Sequence, residues 1–378
     1  MKQLIHFGAD QVFEGQATTY TCIVITQNGK SDTFIFDKVR DLTRWKNEST
    51  KTEIINLPTE VLSEAPWVFP SKREQEIISQ IEKTCRGKLI DIAEIFVGLQ
   101  TSADSIFFLN PEKEDDKHVY FSDTEGGAQM IEKEVLRAAI LDKAVSPFQY
   151  IIQNKKLIFP YEQKNGRNVL MSEENLKMRY PHAYKYLLQY KQKLQARKMP
   201  NAEERWYQFG RSQSLNKFNT QKLIIKNPAL QACATFDDQD ILFTGGGNGP
   251  YYGVRPKNNT EVLYLLALLN HPIFDKWVKL RSSVFRGGYY SFGRQFIADF
   301  PVKISETEND DTTIKKIVEY WGKIVQLNKV TSTTPNQNAE ILRQKTFLKF
   351  EADRLLSGIY GVYHEELISV NDEENGDE

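Results

Sequence analysis

Short strand-like apolar runs and longer helical patterns occur in separate parts of this 378-residue chain, and that arrangement most narrows the folds open to it. Residues 3–7, 20–26 and 33–36 have the β-branched and aromatic content of strands, whereas residues 313–329 and 339–359 repeat apolar positions at helical spacing. This order of strand-like and helical segments along the chain predicts an α+β protein in which a mixed sheet is followed by an antiparallel helical pair.

The N-terminal residues 1–66 hold too little apolar sequence for a domain of their own. The turn signal Asn28-Gly29 predicts that residues 33–36 return as a hairpin strand, and residues 38–66 are polar with few core positions. Because a piece this small buries little surface, we interpret residues 1–66 as the edge of a sheet whose remainder lies elsewhere.

Residues 67–305 are predicted to form one mixed domain. Capping signals, apolar periodicity and proline positions predict helices over residues 70–83, 180–198, 261–269 and 273–280, and strands over residues 90–100, 105–109, 157–161 and 222–226. Residues 306–365 are predicted to hold the helical pair, and the acidic residues 366–378 are expected to be disordered.

Charge is distributed unevenly, although the net charge is only −1. Between residues 137 and 226 there are 18 Lys and Arg against 6 Asp and Glu, a local net charge of +12. The last residues are acidic: Asp372, Glu373, Glu374, Asp377 and Glu378. A solvated surface of uneven charge is one interpretation, and a groove that faces phosphates is the one we favour.

Several classes of protein are disfavoured. The cysteines Cys22, Cys85 and Cys233 lie far apart, which argues against a zinc site or a disulfide framework and fits a reducing cytoplasm. No apolar run approaches the roughly 18 to 20 residues of a membrane span. We therefore expect a cytoplasmic protein with no membrane partner.

Enzyme motifs are also missing. The glycine run at residues 245–249 does not fit GxGxxG, because Pro250 takes the last glycine position, and it has no Gly-Lys-Ser/Thr of a phosphate-binding loop. Neither HExxH nor GxSxG occurs. We therefore assign no catalytic residue and no metal ligand.

Three segments combine glycine, aromatic, amide and arginine residues: 205–213, 243–253 and 285–296. Glycine allows a backbone to approach a ligand closely, Arg and Gln contact base edges, and aromatic rings offer stacking faces. The alternative is that the aromatics are core residues and the glycines tight turns. Three such segments beside a basic region favour a binding surface.

These segments make the chain resemble a known family. The stretches 206–213 (WYQFGRSQ), 222–228 (KLIIKNP), 245–249 (GGGNG) and 287–292 (GGYYSF) resemble the TaqI-like C-terminal specificity domain of adenine-N6 DNA methyltransferases and fused type II restriction-modification enzymes. Residues 92–102, 157–161 and 352–361 are similar to further parts of that domain, in the family's order. The resemblance implies sequence-specific recognition of double-stranded DNA within restriction-modification.

On this basis we expect two sets of DNA contacts. The residues predicted to contact bases or enter a groove are Trp206, Tyr207, Arg211, Gln213, Asn248, Tyr251, Arg286, Tyr289, Tyr290, Ser291 and Arg294. The residues predicted to hold phosphates are Lys191, Lys193, Arg197, Lys198 and Lys217.

The resemblance also implies what is missing. Residues 4–8 and 12–24 look like the last strands of a methyltransferase domain, which in the family binds S-adenosylmethionine and carries Asn-Pro-Pro-Tyr. Residues 110–112 (NPE) and 227–229 (NPA) lack the second proline and the aromatic residue. We expect no cofactor in this chain, S-adenosylmethionine in the complete enzyme, and a methyltransferase catalytic domain or subunit as partner.

Three alternatives stay open. A specificity subunit of a type I restriction system usually carries two recognition domains separated by long helices, and only one recognition region is found here. A complete methyltransferase or nuclease with an unrecognised site is the second. A protein-interaction module that has lost DNA binding is the third.

Overall fold

A computed structural model describes residues 1–8, 10–13, 21–39, 41–48, 53–62, 67, 69–70, 72–123, 126–219, 221–246, 249–282, 284–285, 287–304, 307–331 and 334–363. It confirms a mixed α+β protein with several small sheets. The predicted disorder of residues 366–378 lies outside the described residues.

A small mixed sheet forms at the N-terminus. Its elements are β1 Gln3–His6, β2 Cys22–Ile25, β3 Thr33–Lys38, α1 Leu42–Glu48 and β4 Glu53–Pro58, with a 3₁₀ turn at Thr59–Val61. The strand order is β2-β1-β3-β4, and β1 pairs with β3 in parallel. The hairpin predicted at Asn28-Gly29 is therefore wrong, because β1 lies between β2 and β3. Leu4, Phe34 and Phe36 form a separate small core.

The first part of the larger body contains many short elements. They are α2 Lys72–Thr84, β5 Gly87–Lys88, α3 Leu89–Ile92, β6 Ala93–Val97, α4 Asp104–Phe107, β7 Phe108–Leu109, β8 Lys113–Glu114, β9 His118–Ser122, β10 Ala128–Glu132, a 3₁₀ turn Lys133–Val135, β11 Leu136–Ile140, β12 Lys155–Ile158, β13 Tyr161–Lys164, β14 Arg167–Leu170, α5 Glu173–Arg179, α6 Pro181–Gln189 and α7 Lys191–Gln195.

The second part supplies the central sheet and the longer helices. Its elements are β15 Lys222–Lys226, β16 Ala234–Asp237, β17 Leu242–Phe243, β18 Gly245–Gly246, β19 Gly249–Pro256, α8 Val262–Leu269, α9 Pro272–Arg281, β20 Val284–Phe285, β21 Tyr289–Tyr290, α10 Arg294–Ile297, β22 Pro301–Val302, α11 Glu308–Asn328 and α12 Pro335–Tyr360. The predicted strand at 222–226 and the two helices after residue 260 are confirmed.

A five-stranded sheet divides the body between two hydrophobic cores. The strand order is β16-β15-β19-β18, and β6 pairs with β19 on the edge opposite β15. Side chains alternate across β15, so that Leu223 and Ile225 join the core beneath the long helices. Ile224 joins the opposite core, with Phe96 and Tyr251. The sheet is thus held from both faces.

Two predicted strands begin as helical turns. Residues 89–92 form α3 because the Asp91 carboxylate accepts the Lys88 N–H at 2.8 Å, which caps a turn. Residues 104–107 form α4, where Thr101 Oγ1 accepts the Ala103 N–H at 3.0 Å. Strands β6 and β7 start only after these turns, so the predictions over 90–100 and 105–109 are correct only in their later parts.

The single helix predicted over residues 180–198 is two helices. Tyr190 has φ −101° and ψ 10°, outside helical values, and its N–H bonds to the Leu187 carbonyl. This break separates α6 from α7.

The predicted helical pair is confirmed, with longer helices than the sequence indicated. Thr307 caps α11 and Thr334 caps α12, each accepting a backbone N–H three residues ahead. Trp321 and Tyr360 are fully buried in the same core as α8, so the boundary expected at residue 305 does not separate two hydrophobic cores.

Candidate functional site

Three strand ends meet at one edge of the central sheet. Register pairs Val97 with Tyr252 and Lys226 with Tyr251, so β6 and β15 both end where β19 begins. The Asn227 N–H donates to the Pro250 carbonyl at 2.8 Å and continues this arrangement past β15. We call this region the loop edge, and it comprises residues 98–102, 210–213, 227–230, 245–246, 284–285 and 287–294.

The first glycine and arginine segment is fastened to the loop edge by main-chain bonds. The Arg211 N–H donates to the Gln100 carbonyl and the Gly210 N–H to the Thr101 carbonyl, both at 3.1 Å. The Gln100 side-chain Nε2 reaches on to the Gly245 carbonyl, also at 3.1 Å. Segments distant in sequence are therefore held side by side.

Two glycines at the loop edge permit this contact. A Cβ atom on Gly98 would lie 2.4 Å from the Thr244 carbonyl carbon, and one on Gly245 would lie 2.2 Å from the Gly98 nitrogen. Any side chain at either position would push the two backbones apart. Gly245, in the second predicted segment, therefore serves close backbone packing.

The third segment forms a short hairpin anchored to the same edge. Ala229 and Tyr290 exchange two main-chain hydrogen bonds, at 3.0 and 2.8 Å. The Asn227 Oδ1 atom accepts the Phe292 N–H at 2.7 Å and the Ser291 hydroxyl at 3.2 Å. All three segments singled out in the sequence thus converge on one edge of one sheet.

Three predicted base contacts are corrected by burial. Trp206, Tyr207 and Tyr251 lie in the core with no ring face at the surface. The Tyr207 hydroxyl donates to the Met171 carbonyl at 2.7 Å, and the Tyr251 hydroxyl donates to the Lys143 carbonyl at 2.5 Å. Because their polar ends are satisfied inside, these residues support the loops and do not face a ligand.

Four of the predicted base contacts are exposed: Arg211, Gln213, Tyr289 and Arg294. Within the described ranges, neither the Arg211 nor the Arg294 guanidinium has a hydrogen-bond or ion-pair partner. Tyr290 and Ser291 are half-buried and fasten the hairpin. Asn248 and Arg286 lie outside the described residues.

The predicted phosphate contacts divide in a similar way. Lys193 and Lys198 are exposed, and the Lys191 ammonium lies 5.2 Å above the centre of the Trp206 ring. Lys217 forms an ion pair with Glu94 at 2.8 Å. Burial alone would raise the pKa of Glu94, but hydrogen bonds from Lys217 and Arg255 hold it below its ordinary value. Lys217 is therefore already committed to an internal partner.

Arg197 is a structural residue, which corrects its predicted role as a phosphate contact. Its guanidinium donates to the carbonyls of Thr101 at 2.6 Å, Trp206 at 2.5 Å and Gln208 at 2.8 Å. Burial lowers the pKa of this guanidinium to about 10. It joins the residues just after α7 to the loop-edge segment 98–102 and to the backbone of residues 206–208, which lead into the loop-edge segment 210–213.

Several residues at the loop edge escaped the sequence prediction. Gln100, Asn227, Leu230 and Phe285 lie beside the expected residues, although none was included among the predicted contacts. Gln100 and Phe285 belong to segments already quoted for the resemblance or the binding surface. Their amide and aromatic side chains were therefore visible signals.

Other classes of site find little support. Among the residues with assigned positions, no group of three or more His, Cys, Asp or Glu is placed to hold a metal ion. No helix in the described part of the chain is long and apolar enough to cross a membrane.

No protein-family model matches this chain. It is 25% identical over 394 aligned residues to the type II restriction enzyme and methyltransferase RM.Eco57I of Escherichia coli, covering 98% of this chain and 39% of that protein. It is 26% identical over 246 residues to the type II methyltransferase M.MjaIV of Methanocaldococcus jannaschii, covering 61% of this chain and 72% of that protein. The chain thus spans well under half of the first relative.

The fold is similar to that of a solved restriction-modification enzyme. The type IIL enzyme MmeI, whose structure was determined in complex with DNA, matches 98% of this chain and 44% of its own with a TM-score of 0.57 and 12% identity. The relatives in sequence and fold are therefore type II restriction-modification enzymes and methyltransferases, and the similarity covers nearly the whole of this chain for RM.Eco57I and MmeI but only part of it for M.MjaIV.

Proposed function

We propose that this chain is the part of a site-specific adenine-N6 DNA methyltransferase of a restriction-modification system that recognises the target sequence in double-stranded DNA. The observation that carries the proposal is the convergence of three Gly-, Arg- and aromatic-rich segments at one sheet edge. That edge presents Arg211 and Arg294 exposed, with no partner among the described residues. Unpaired arginines on a backbone held by many bonds suit base recognition, because Arg pairs bidentately with guanine.

The relatives support a DNA partner. MmeI, whose fold is similar, was solved with DNA, and the relatives in sequence are restriction-modification methyltransferases. Under the proposal, Gln213 and Tyr289 accompany the two arginines in a groove. Lys193 and Lys198, which extend from and just beyond α7, hold phosphates.

The residues that most resemble the adenine-holding motif of methyltransferases, which use S-adenosylmethionine, do not fit that role in this chain. The strings nearest to Asn-Pro-Pro-Tyr begin at Asn110 and Asn227. The Asn110 side-chain oxygen accepts the Lys155 ammonium, and that of Asn227 holds the hairpin through Ser291 and Phe292. Both lone pairs of the Asn227 amide oxygen are thus engaged and the Asn110 oxygen already accepts a lysine, so neither asparagine is arranged to receive an adenine amino group.

We further propose that residues 1–66 complete a sheet of a methyltransferase catalytic domain or subunit. β2 is the edge strand of this sheet among the described residues, and all four of its residues are exposed, including Ile23, Val24 and Ile25. The parallel pairing of β1 and β3 supports this, because parallel strands are normally covered on both faces.

Fluorescence anisotropy with labelled duplex DNA across a salt series tests the DNA-reading role. The expected result is binding whose affinity falls as salt rises, with a logarithmic slope of about −0.9 for each neutralised phosphate. Absence of duplex binding at low salt would contradict the proposal. A module that has lost DNA binding would give that result.

Calorimetric titration with S-adenosylmethionine separates a recognition part from a complete methyltransferase. We expect no heat of binding to the isolated chain. Saturable binding would instead support a complete enzyme with an unrecognised cofactor site.

A further inference from the structure

An apolar patch interrupts the polar loop edge at the hairpin formed by β20 and β21. Three large side chains there are exposed: Leu230 by 53%, Phe285 by 40% and Tyr289 by 39%. Exposed apolar groups that cluster usually mark a contact surface, since scattered single residues are the norm elsewhere.

The three side chains lie at the same hairpin. Phe285 is directly paired with Tyr289 across the hairpin, so their side chains share a face. A Cβ atom on Gly288 would lie 3.9 Å from the Leu230 Cδ2 atom, which places Leu230 against the hairpin turn. Together they form a narrow apolar tip.

The base of the tip is firmly held. Tyr290 exchanges two main-chain bonds with Ala229, and the Ser282 hydroxyl donates to the Ser291 carbonyl at 2.6 Å. The Lys279 ammonium lies 5.4 Å above the centre of the Tyr290 ring. An anchored tip can press into a ligand without first losing conformational freedom of its own.

The surroundings of the tip favour a polyanion with an apolar interior. Arg294 is exposed just beyond the hairpin, and Lys226 ends the strand that leads to Leu230. Gly287 and Gly288, with φ of 81° and 74°, add no side chains to the turn. Duplex DNA combines phosphates outside with stacked bases inside.

We infer that Leu230, Phe285 and Tyr289 form a wedge that inserts between base pairs of the bound duplex and unstacks one step. This inference rests on the proposed DNA-reading function and adds a deformation of the DNA to it. Apolar wedges of Phe, Leu, Ile or Met act in this way in proteins that kink DNA. Recognition would then include how easily the wedged step unstacks, in addition to the base edges that arginines contact.

A duplex selected from a randomised library by the wild-type chain, with 2-aminopurine placed at successive positions, tests the wedge. Unstacking raises the fluorescence of 2-aminopurine, so the wild-type chain should give an increase at one step of the site. Phe285→Ser should abolish this increase and weaken binding roughly tenfold, as loss of one base-stacking ring does. Phe285→Leu, which keeps an apolar wedge, should retain most of the increase.

The matched control is Phe347→Ser, which removes a phenylalanine that is 62% exposed and lies on α12, outside the hairpin. It should leave fluorescence and affinity unchanged, and thermal melting should show that both serine variants fold. Wild-type binding without any fluorescence increase, or an increase that survives in Phe285→Ser, would overturn the wedge while leaving DNA recognition intact. An increase that survives in Phe285→Ser would fit a tip that contacts another protein instead of the bases. Failure of the wild-type chain to enrich or bind any duplex would overturn the proposed function together with the wedge.

Discussion

The main-chain N–H of Arg211 donates to the carbonyl of Gln100, and the Gln100 side chain in turn donates to the Gly245 carbonyl. This relationship sets the backbone of an exposed arginine against two other loops. The guanidinium itself stays without a partner among the described residues. A side chain that is unpaired on a fixed backbone is poised for an external ligand.

Replacing Arg211 with alanine should relax sequence preference at one base pair. A bidentate arginine contact is worth about 1 to 3 kcal/mol of discrimination. Competition between duplexes that differ at single positions measures it, and the melting temperature should not change. Arg343→Ala, which removes an exposed arginine paired with neighbouring Glu340, is the control and should alter neither quantity.

Lys193→Ala and Lys198→Ala should weaken binding to all duplexes by similar factors. Each loses one phosphate contact, so the slope of log affinity against log salt should become shallower by about 1. Lys315→Ala on α11, an exposed lysine in the helical pair, should keep the wild-type slope. If the Lys193 and Lys198 variants kept the same salt slope as Lys315→Ala, the phosphate contacts would lie elsewhere.

Arg197→Met should lower stability and leave the salt slope of any remaining binding unchanged. The change removes donors from the carbonyls of Thr101, Trp206 and Gln208 while keeping much of the side-chain volume. We expect the free energy of unfolding to fall by about 2 to 4 kcal/mol. Urea denaturation measures this loss. A shallower salt slope with unchanged stability would instead restore Arg197 as a phosphate contact.

Asp353 should make stability depend on pH. Its carboxyl is 4% exposed, and burial raises its pKa from 3.8 to about 6 despite the Lys349 ion pair. Between about pH 4 and pH 6, the Asp353 carboxyl therefore keeps a proton in the folded state that it has lost in the unfolded state. The contribution is fully present below about pH 4 and is lost as pH rises through 6.

Asp353→Asn isolates this effect because asparagine does not titrate. The unfolding free energy of the wild type minus that of the variant should fall by roughly 2 kcal/mol between pH 4 and pH 7. Urea denaturation at both pH values measures it. A difference that stays constant with pH would mean that Asp353 has an ordinary pKa in the folded protein.

Local sequence patterns predicted β15, α8, α9 and the helical pair well, because their capping residues and apolar spacing act over a few neighbours. The break at Tyr190 and the turns at Leu89 and Asp104 were missed. They depend on single backbone angles or short side-chain bonds that competing strand and helix patterns do not reveal.

The sequence predicted which segments form the candidate site better than it predicted which of their side chains are exposed. In a glycine- and arginine-rich stretch, the local sequence does not distinguish an aromatic ring that faces the core from one that faces the solvent. Trp206 is an example of the first and Tyr289 of the second. Only the register of β19 decides that Tyr251 faces inward. Likewise, sequence cannot distinguish Arg197, whose guanidinium donates to carbonyls, from Arg211, whose guanidinium meets no acceptor among the described residues.

Selection of duplexes from a randomised library tests the central claim most directly. The wild-type chain should enrich one recurring sequence, and chains carrying Arg211→Ala or Arg294→Ala should enrich a version relaxed at individual positions, while Arg343→Ala should enrich the wild-type sequence. Failure of the wild-type chain to enrich any sequence, or enrichment of one unchanged sequence by all four chains, would contradict recognition of DNA through the loop edge.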